Sequence, residues 1–161
     1  ITLPGASVNG RDGMQRKRVL FLCTGNTCRS QMAEAIVNAR LGDRWEAFSA
    51  GVSPAAVINP HTTKALAEVG IVHLGEPKSP EVFQGQHFDL VITLCADADE
   101  NCPTWLGSAG GRQHLGFTDP ATARGSEEQI MPIYRQVLKD IAAKVSALLE
   151  KDMGDGEASK A

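Results

Sequence analysis

Residues Val19 to Leu22 form an unbroken apolar run that stops at the polar, glycine-containing segment Cys23–Ser30 and gives way to a helical pattern. A short continuous run of this kind predicts a strand buried on both faces, which is the environment of a parallel sheet. The helix is predicted from Ser30, a residue able to cap it, through Met32, Ala33, Ala35, Ile36, Val37 and Leu41 to Gly42, with a second strand over Trp45–Ala50. Parallel strands joined through a helix cross over right-handed and cover the sheet with helices, so an α/β fold follows from this stretch alone. The rest of the chain repeats the alternation. Asn59-Pro60 starts a helix that Gly70 stops, Ser79-Pro80-Glu81 starts a short one near Val82 and Phe83, and Asp89–Leu94 is another apolar strand. From Ser126, a single apolar stripe of Ile130, Ile133, Tyr134, Val137, Ile141, Val145 and Leu148 predicts a long closing helix.

At 161 residues the chain holds one domain, expected over 16–152, with 1–15 a disordered leader or expression remnant and 153–161 a flexible polar tail. A net charge of −3 offers no basic face to nucleic acid, and no apolar run reaches the ~18 residues that a membrane helix needs. Four cysteines are too few for a disulfide-stapled scaffold and no signal peptide opens the chain, so a reducing cytoplasm is the expected location. Each cysteine then becomes a question of reactivity. His61, His73, His87 and His114 show no pair at metal-ligand spacing and read as surface or structural residues.

Parallel sheets bind ligands beyond the C-terminal ends of their strands, and Cys23 and Cys95 both stand at such ends. After Cys23 the chain reads Thr24-Gly25-Asn26-Thr27-Cys28-Arg29-Ser30, a cysteine and an arginine with five residues between them, set between a buried strand and a helix N-terminus. Gly25 and Asn26 tolerate positive φ, so successive N–H groups can turn inward as a nest, and the helix dipole adds positive potential. Arg29 supplies a planar fork for two oxygens of a tetrahedral oxyanion, which a lysine cannot reproduce. The same field favours the thiolate of Cys23, the nucleophilic form. Ser30 can donate to that sulfur as well as cap the helix, whereas Cys28 needs no chemical role.

Two further elements complete the chemistry. Asp119 precedes Pro120, which confines it to extended backbone and fixes the direction of a carboxyl able to protonate a leaving oxygen; the pair also reads as an ordinary turn. Cys95 and Cys102 stand seven positions apart around Asp97, Asp99 and Glu100. In a helix their Cα atoms would lie about 10 Å apart, beyond the ~7 Å limit of a disulfide, so a bond between them requires the segment to loop out. A zinc site of all four cysteines, or two inert thiols, are the alternatives.

The stretch Val19–Ala35 resembles the low-molecular-weight protein tyrosine phosphatase superfamily, and Leu22–Glu34 is similar to its thioredoxin-coupled arsenate reductase branch. The cysteine pair with its acidic interior and Pro103, and His114–Ala121, resemble that branch too. The resemblance implies a four-stranded parallel sheet in a three-layer sandwich, and arsenate reduction with Cys23 as nucleophile, Arg29 as clamp, Asp119 as acid, and a disulfide relay from Cys23 to Cys95 to Cys102. It implies thioredoxin as reductant, arsenate as substrate, and phosphate or sulfate as competing oxyanions. A tryptophan usual near Leu115 and an acid usual at Thr118 are missing, and Ala121-Thr122 stands where the phosphatases carry tandem tyrosines. No cofactor is implied as required, although Asn26, Glu34 and Ser49 match positions that hold a potassium ion in some relatives. Two rival readings remain: a phosphomonoester hydrolase using the same Cys23, Arg29 and Asp119, and a non-enzymatic thiol sensor of metals or oxyanions.

Overall fold

The structure is a computed structural model that describes residues 16–96 and 104–160, with side chains described as far as Asp152. Strand β1 (Lys17–Cys23) leads through the loop into helix α1 (Arg29–Arg40) and strand β2 (Trp45–Gly51). Helix α2 (Pro60–Glu68), a 3-10 turn (Pro80–Phe83) and strands β3 (His87–Phe88), β4 (Leu90–Thr93), β5 (Ser108–Ala109) and β6 (Arg112–His114) follow. A second 3-10 turn (Pro120–Thr122) precedes helix α3 (Glu127–Lys160). The main sheet has the order β2-β1-β4-β6, all parallel, and β3 pairs with β5 in a separate ribbon.

The local signals act as their chemistry dictates. Asn59 accepts from the His61 N–H and Ser79 from the Glu81 N–H, each with proline at the first helical position. Gly70, at φ 86°, ends α2. Ser126 and Gln129 form a reciprocal capping box at the start of α3, the Gln129 N–H reaching Ser126 Oγ and the Ser126 N–H reaching Gln129 Oε1.

Strand β1 is buried on both sides, as its apolar run predicts. Val19 and Phe21 pack with Met32 and Ile36 of α1, Leu66 of α2 and Met131, Tyr134 and Ile141 of α3. Leu20 and Leu22 point the other way, into Phe83, Phe88, Val91 and Trp105. All three α-helices therefore cover one face. Among the described residues the other face is closed by the 3-10 turn at Pro80–Phe83, the β3–β5 ribbon and a set of edge-to-face rings about 5.5 Å apart, which bulky aromatics fill without a helix.

One expectation is corrected. Ser30 does not cap α1: Cys28 occupies that position without a side-chain cap, because the Ser30 hydroxyl is engaged by Cys23. The fourth strand of the sheet is the polar, exposed edge Arg112–His114, which carries no apolar signal and is held by backbone pairing to β4. Helix α3 is described as far as Lys160, through residues that the sequence leads one to expect as a polar tail. Residues 1–15 lie outside the described residues, as do Asp97, Asp99, Glu100 and Cys102. Among the described residues no helix is long and apolar enough to cross a membrane.

Candidate active site

Each strand of the main sheet delivers one component at its C-terminal end. Strand β1 ends in Cys23, which is 2 % exposed, and in the loop that follows. Four carbonyls of this segment, those of Cys23, Thr24, Gly25 and Thr27, are held by the chain that follows β2. Cys23 O accepts from the Val52 N–H, Thr24 O from Ser53, Gly25 O from Ala55, Thr27 O from Asn59 and Cys28 O from Met32. Across a trans peptide the next N–H points opposite to its carbonyl, so the amides of residues 24, 25, 26 and 28 point away from the 52–59 segment. Asn26, the one described non-glycine residue with positive φ (56°), makes the bend that this requires. Thr24, Gly25, Asn26, Thr27, Cys28, Arg29 and Ser30, from which the sequence leads one to expect an oxyanion nest, lie between the end of β1 and the first turn of α1.

Strand β2 supplies the support that sequence reading misses. It ends at Gly51, where a Cβ would stand 2.6 Å from Thr24 O and 2.8 Å from Asn26 N. Only a glycine lets the strand pass this close beneath the loop. A glycine at the end of a strand next to a catalytic-type loop is the signal that could have pointed to it.

Strand β4 brings Cys95, fully buried, beside the end of β1: the two strands pair as far as Leu22 and Thr93, and the Leu94 N–H donates to Leu22 O. Cys23 and Cys28 are free thiols, whereas Cys95 is disulfide-bonded. Strand β6 runs on along β4 through Leu115 and Phe117, whose N–H groups reach Thr93 O and Leu94 O, and so carries Asp119 to the same crevice. Gly116 fits there because a Cβ would already lie 3.1 Å from Cys95 O.

Arg29 is 2 % exposed and binds the acid loop. Its guanidinium donates to Phe117 O at 3.1 Å, and its other terminal nitrogen lies 3.6 Å from Asp119 Oδ2. Asp119 has extended backbone (φ −79°, ψ 110°), as a residue before proline must, and its Oδ1 accepts from the Ala121 N–H. One carboxyl oxygen is therefore structural, and the other faces the arginine at the mouth of the nest.

Cys28 contributes its backbone only. Its thiol points into the core, donating to the Tyr134 hydroxyl at 3.7 Å, and burial pushes its pKa up against the lowering influence of the neighbouring Thr62, Thr27 and Tyr134 hydroxyls. Burial likewise lifts the Tyr134 phenol, helped by the nearby Cys28. His73 is half-buried, and desolvation lowers its pKa against the opposing pull of Glu34. The oxygens that the resemblance offers to potassium are already engaged: Asn26 Oδ1 accepts from the Lys78 N–H and from Gln31, and Ser49 Oγ binds Glu34 Oε1.

The sequence matches the family described as low molecular weight phosphotyrosine protein phosphatase over residues 18–157. It is 42 % identical over 139 residues to the arsenate reductase of Halalkalibacterium halodurans, covering 85 % of this chain and 98 % of that protein. The crystal structure of arsenate reductase from Archaeoglobus fulgidus superposes with a TM-score of 0.66 at 32 % identity, covering 82 % of this chain and 98 % of the other. The thioredoxin-dependent arsenate reductase of Corynebacterium glutamicum superposes with a TM-score of 0.60 at 25 % identity, covering 91 % of this chain and 66 % of the other.

Proposed function

This chain belongs to the low molecular weight phosphotyrosine protein phosphatase family, and from that membership we propose that it reduces arsenate to arsenite. The observation that carries the reading is the delivery of an oxyanion nest, a free thiol and a second, disulfide-forming cysteine to one crevice by the adjacent strands β1 and β4. A hydrolase of phosphate esters needs the nest, Cys23, Arg29 and Asp119 but has no use for Cys95. Ala121 and Thr122 also leave no aromatic side chain after Pro120 against which a phenyl ester could stack.

The Cys23 thiolate attacks arsenic while the inward N–H groups and Arg29 hold the remaining oxygens. An As–O bond breaks, and Asp119 protonates the departing oxygen, which leaves as water. The thiolate of Cys95 then attacks the Cys23 sulfur. The S–As bond breaks with its electron pair kept by arsenic, which falls from As(V) to As(III), and the two sulfurs become a disulfide. Cys102 attacks Cys95 in turn, releasing Cys23 as thiolate and forming a Cys95–Cys102 bond that the dithiol of thioredoxin reduces. The free Cys23 alongside a disulfide-bonded Cys95 supports this order, since it is the state in which the last internal exchange leaves the nucleophile. The thioredoxin dependence named for the Corynebacterium glutamicum protein supports the choice of reductant.

The test is arsenate-dependent NADPH consumption coupled through thioredoxin and its reductase. Wild-type protein is expected to cycle and Cys102→Ser to release arsenite once per chain. Sustained turnover by Cys102→Ser removes the relay, and phosphatase activity without arsenate turnover makes the chain a hydrolase.

A further inference from the structure

Behind the nest, a line of hydrogen bonds runs from His73 to the Cys23 sulfur, and backbone groups that orient the Asn26 and Gln31 amides fix the direction of all but the last. Asn26 Oδ1 accepts from the Lys78 backbone N–H, 2.9 Å away, so the other half of its amide, Nδ2, is what faces Ser30 Oγ at 2.7 Å. Gln31 Nε2 faces three acceptors, Asn26 O and Oδ1 at 3.1 Å and Glu76 O at 3.2 Å, so Gln31 Oε1 is what meets His73 Nε2 at 2.7 Å. His73 Nε2 must then carry the hydrogen, and the lowered pKa of this half-buried ring fits the neutral Nε2–H tautomer. Ser30 Oγ, already accepting from Asn26, has one hydrogen to give, and its remaining partner is Cys23 Sγ at 2.8 Å. Gln31 and Ser30 are fully buried, so the inner bonds of the line, from Gln31 through Asn26 and Ser30 to Cys23, are shielded from water.

We propose that Gln31 and His73 are positioning residues for the nucleophile: through Asn26 and Ser30 they orient and polarise a one-way chain of donors that ends on the Cys23 sulfur. The proposal rests on Cys23 being the nucleophile of the preceding section. Each donor in the line is made more acidic by the bond that its own oxygen or amide accepts, so the last one, Ser30 O–H, stabilises negative sulfur more than a lone serine does. Gln31 also clamps Asn26 by both its carbonyl and its side chain, which holds the positive-φ bend that turns the nest inward. Gly75 is an independent mark of the arrangement. A Cβ there would stand 2.6 Å from both Gln31 Oε1 and His73 Nε2, so the chain leaves this bond room by omitting a side chain. The charged groups felt by His73 are Glu34 and Lys78, of opposite sign.

The experiment compares wild type with Gln31→Met, His73→Leu and His73→Gln. The first readout is the rate of Cys23 alkylation by iodoacetamide as a function of pH, located by peptide mass mapping; the second is the kcat and KM of arsenate reduction. Removing one such hydrogen bond is expected to slow neutral-pH alkylation and kcat about tenfold in Gln31→Met and about threefold in His73→Leu. The alkylation profile is expected to move to more alkaline pH and KM to change little. Gln places a donor where His73 Nε2 stands, so His73→Gln is expected to restore wild-type values. Alkylation profiles of Gln31→Met and His73→Leu that coincide with wild type overturn the proposal, as does a lower melting temperature without a change in profile. Should Gln31→Met fail to fold, the two His73 variants decide. Alkylation needs no arsenate, so wild-type protein that does not reduce arsenate refutes the reductase reading while this comparison still stands or falls by itself.

Discussion

Gly51→Ala tests how the nest is held open. The added methyl would lie 2.6 Å from Thr24 O, 2.8 Å from Asn26 N and 3.0 Å from Asn26 Cβ. Ordinary contact is about 3.5 Å, so the loop has to retreat by roughly 0.7–0.9 Å at two points. None of the obstructing atoms is the far end of a flexible side chain. Thr24 O is also tied to the Ser53 N–H and Asn26 to Gln31 and Lys78, so the retreat either breaks those bonds or moves the amides that grip the oxyanion. Overpacking of this kind costs about 1–3 kcal/mol of stability. A shift of about 1 Å in groups that hold a reacting centre costs on the order of 100-fold in rate, equivalent to about 2.7 kcal/mol of transition-state stabilisation. Urea unfolding, kcat/KM for arsenate, and protection of Cys23 from alkylation by phosphate measure the three consequences. A modest loss of stability with a roughly 100-fold fall in kcat/KM and a parallel loss of phosphate protection is expected. Wild-type kcat/KM and protection in a folded Gly51→Ala protein would refute the idea that the amides of this loop form the anion site.

Other consequences follow from the same geometry. Arg29→Lys removes a fork that reaches Phe117 O and Asp119 together, so kcat/KM is expected to fall by about 100-fold or more in steady-state assays, with little change on raising arsenate. Asp119→Asn keeps a side chain able to cap the turn at Pro120–Thr122 but cannot give up a proton; kcat is expected to fall about 100-fold while the melting temperature stays near wild type. Cys28 has its pKa raised in the folded protein, so the unfolded chain ionises first, near its ordinary value of 9.0, and stability falls as pH rises beyond that point. The drop in urea midpoint between about pH 8 and about pH 10 is therefore expected to be smaller in Cys28→Val than in wild type.

The residues that announce themselves are those whose chemistry is local. The apolar run before Cys23, the Cys-to-Arg spacing, the Asn59-Pro60 and Ser79-Pro80 caps and the Asp119-Pro120 constraint each act within a few residues, and the structure places each as its sequence implies. What the sequence hides is set by neighbours distant along the chain. Arg112–His114 joins the edge of the sheet by backbone pairing with β4 and a His114–Thr93 side-chain bond, and being exposed it carries no apolar pattern. Ser30 looks like a cap because serine before a helix usually is one, but a sulfur seven residues earlier claims its hydroxyl. Gly51 and Gln31 matter through contacts with the folded loop; the place of Gly51 at the end of a strand is a local signal, whereas nothing around Gln31 in the chain reveals its role.

Peptide mass mapping of Cys102→Ser protein quenched after one exposure to arsenate tests the central claim most directly. The account expects a bond between Cys23 and Cys95, formed in step with one equivalent of arsenite. Arsenite released while Cys23 and Cys95 remain unlinked would contradict it.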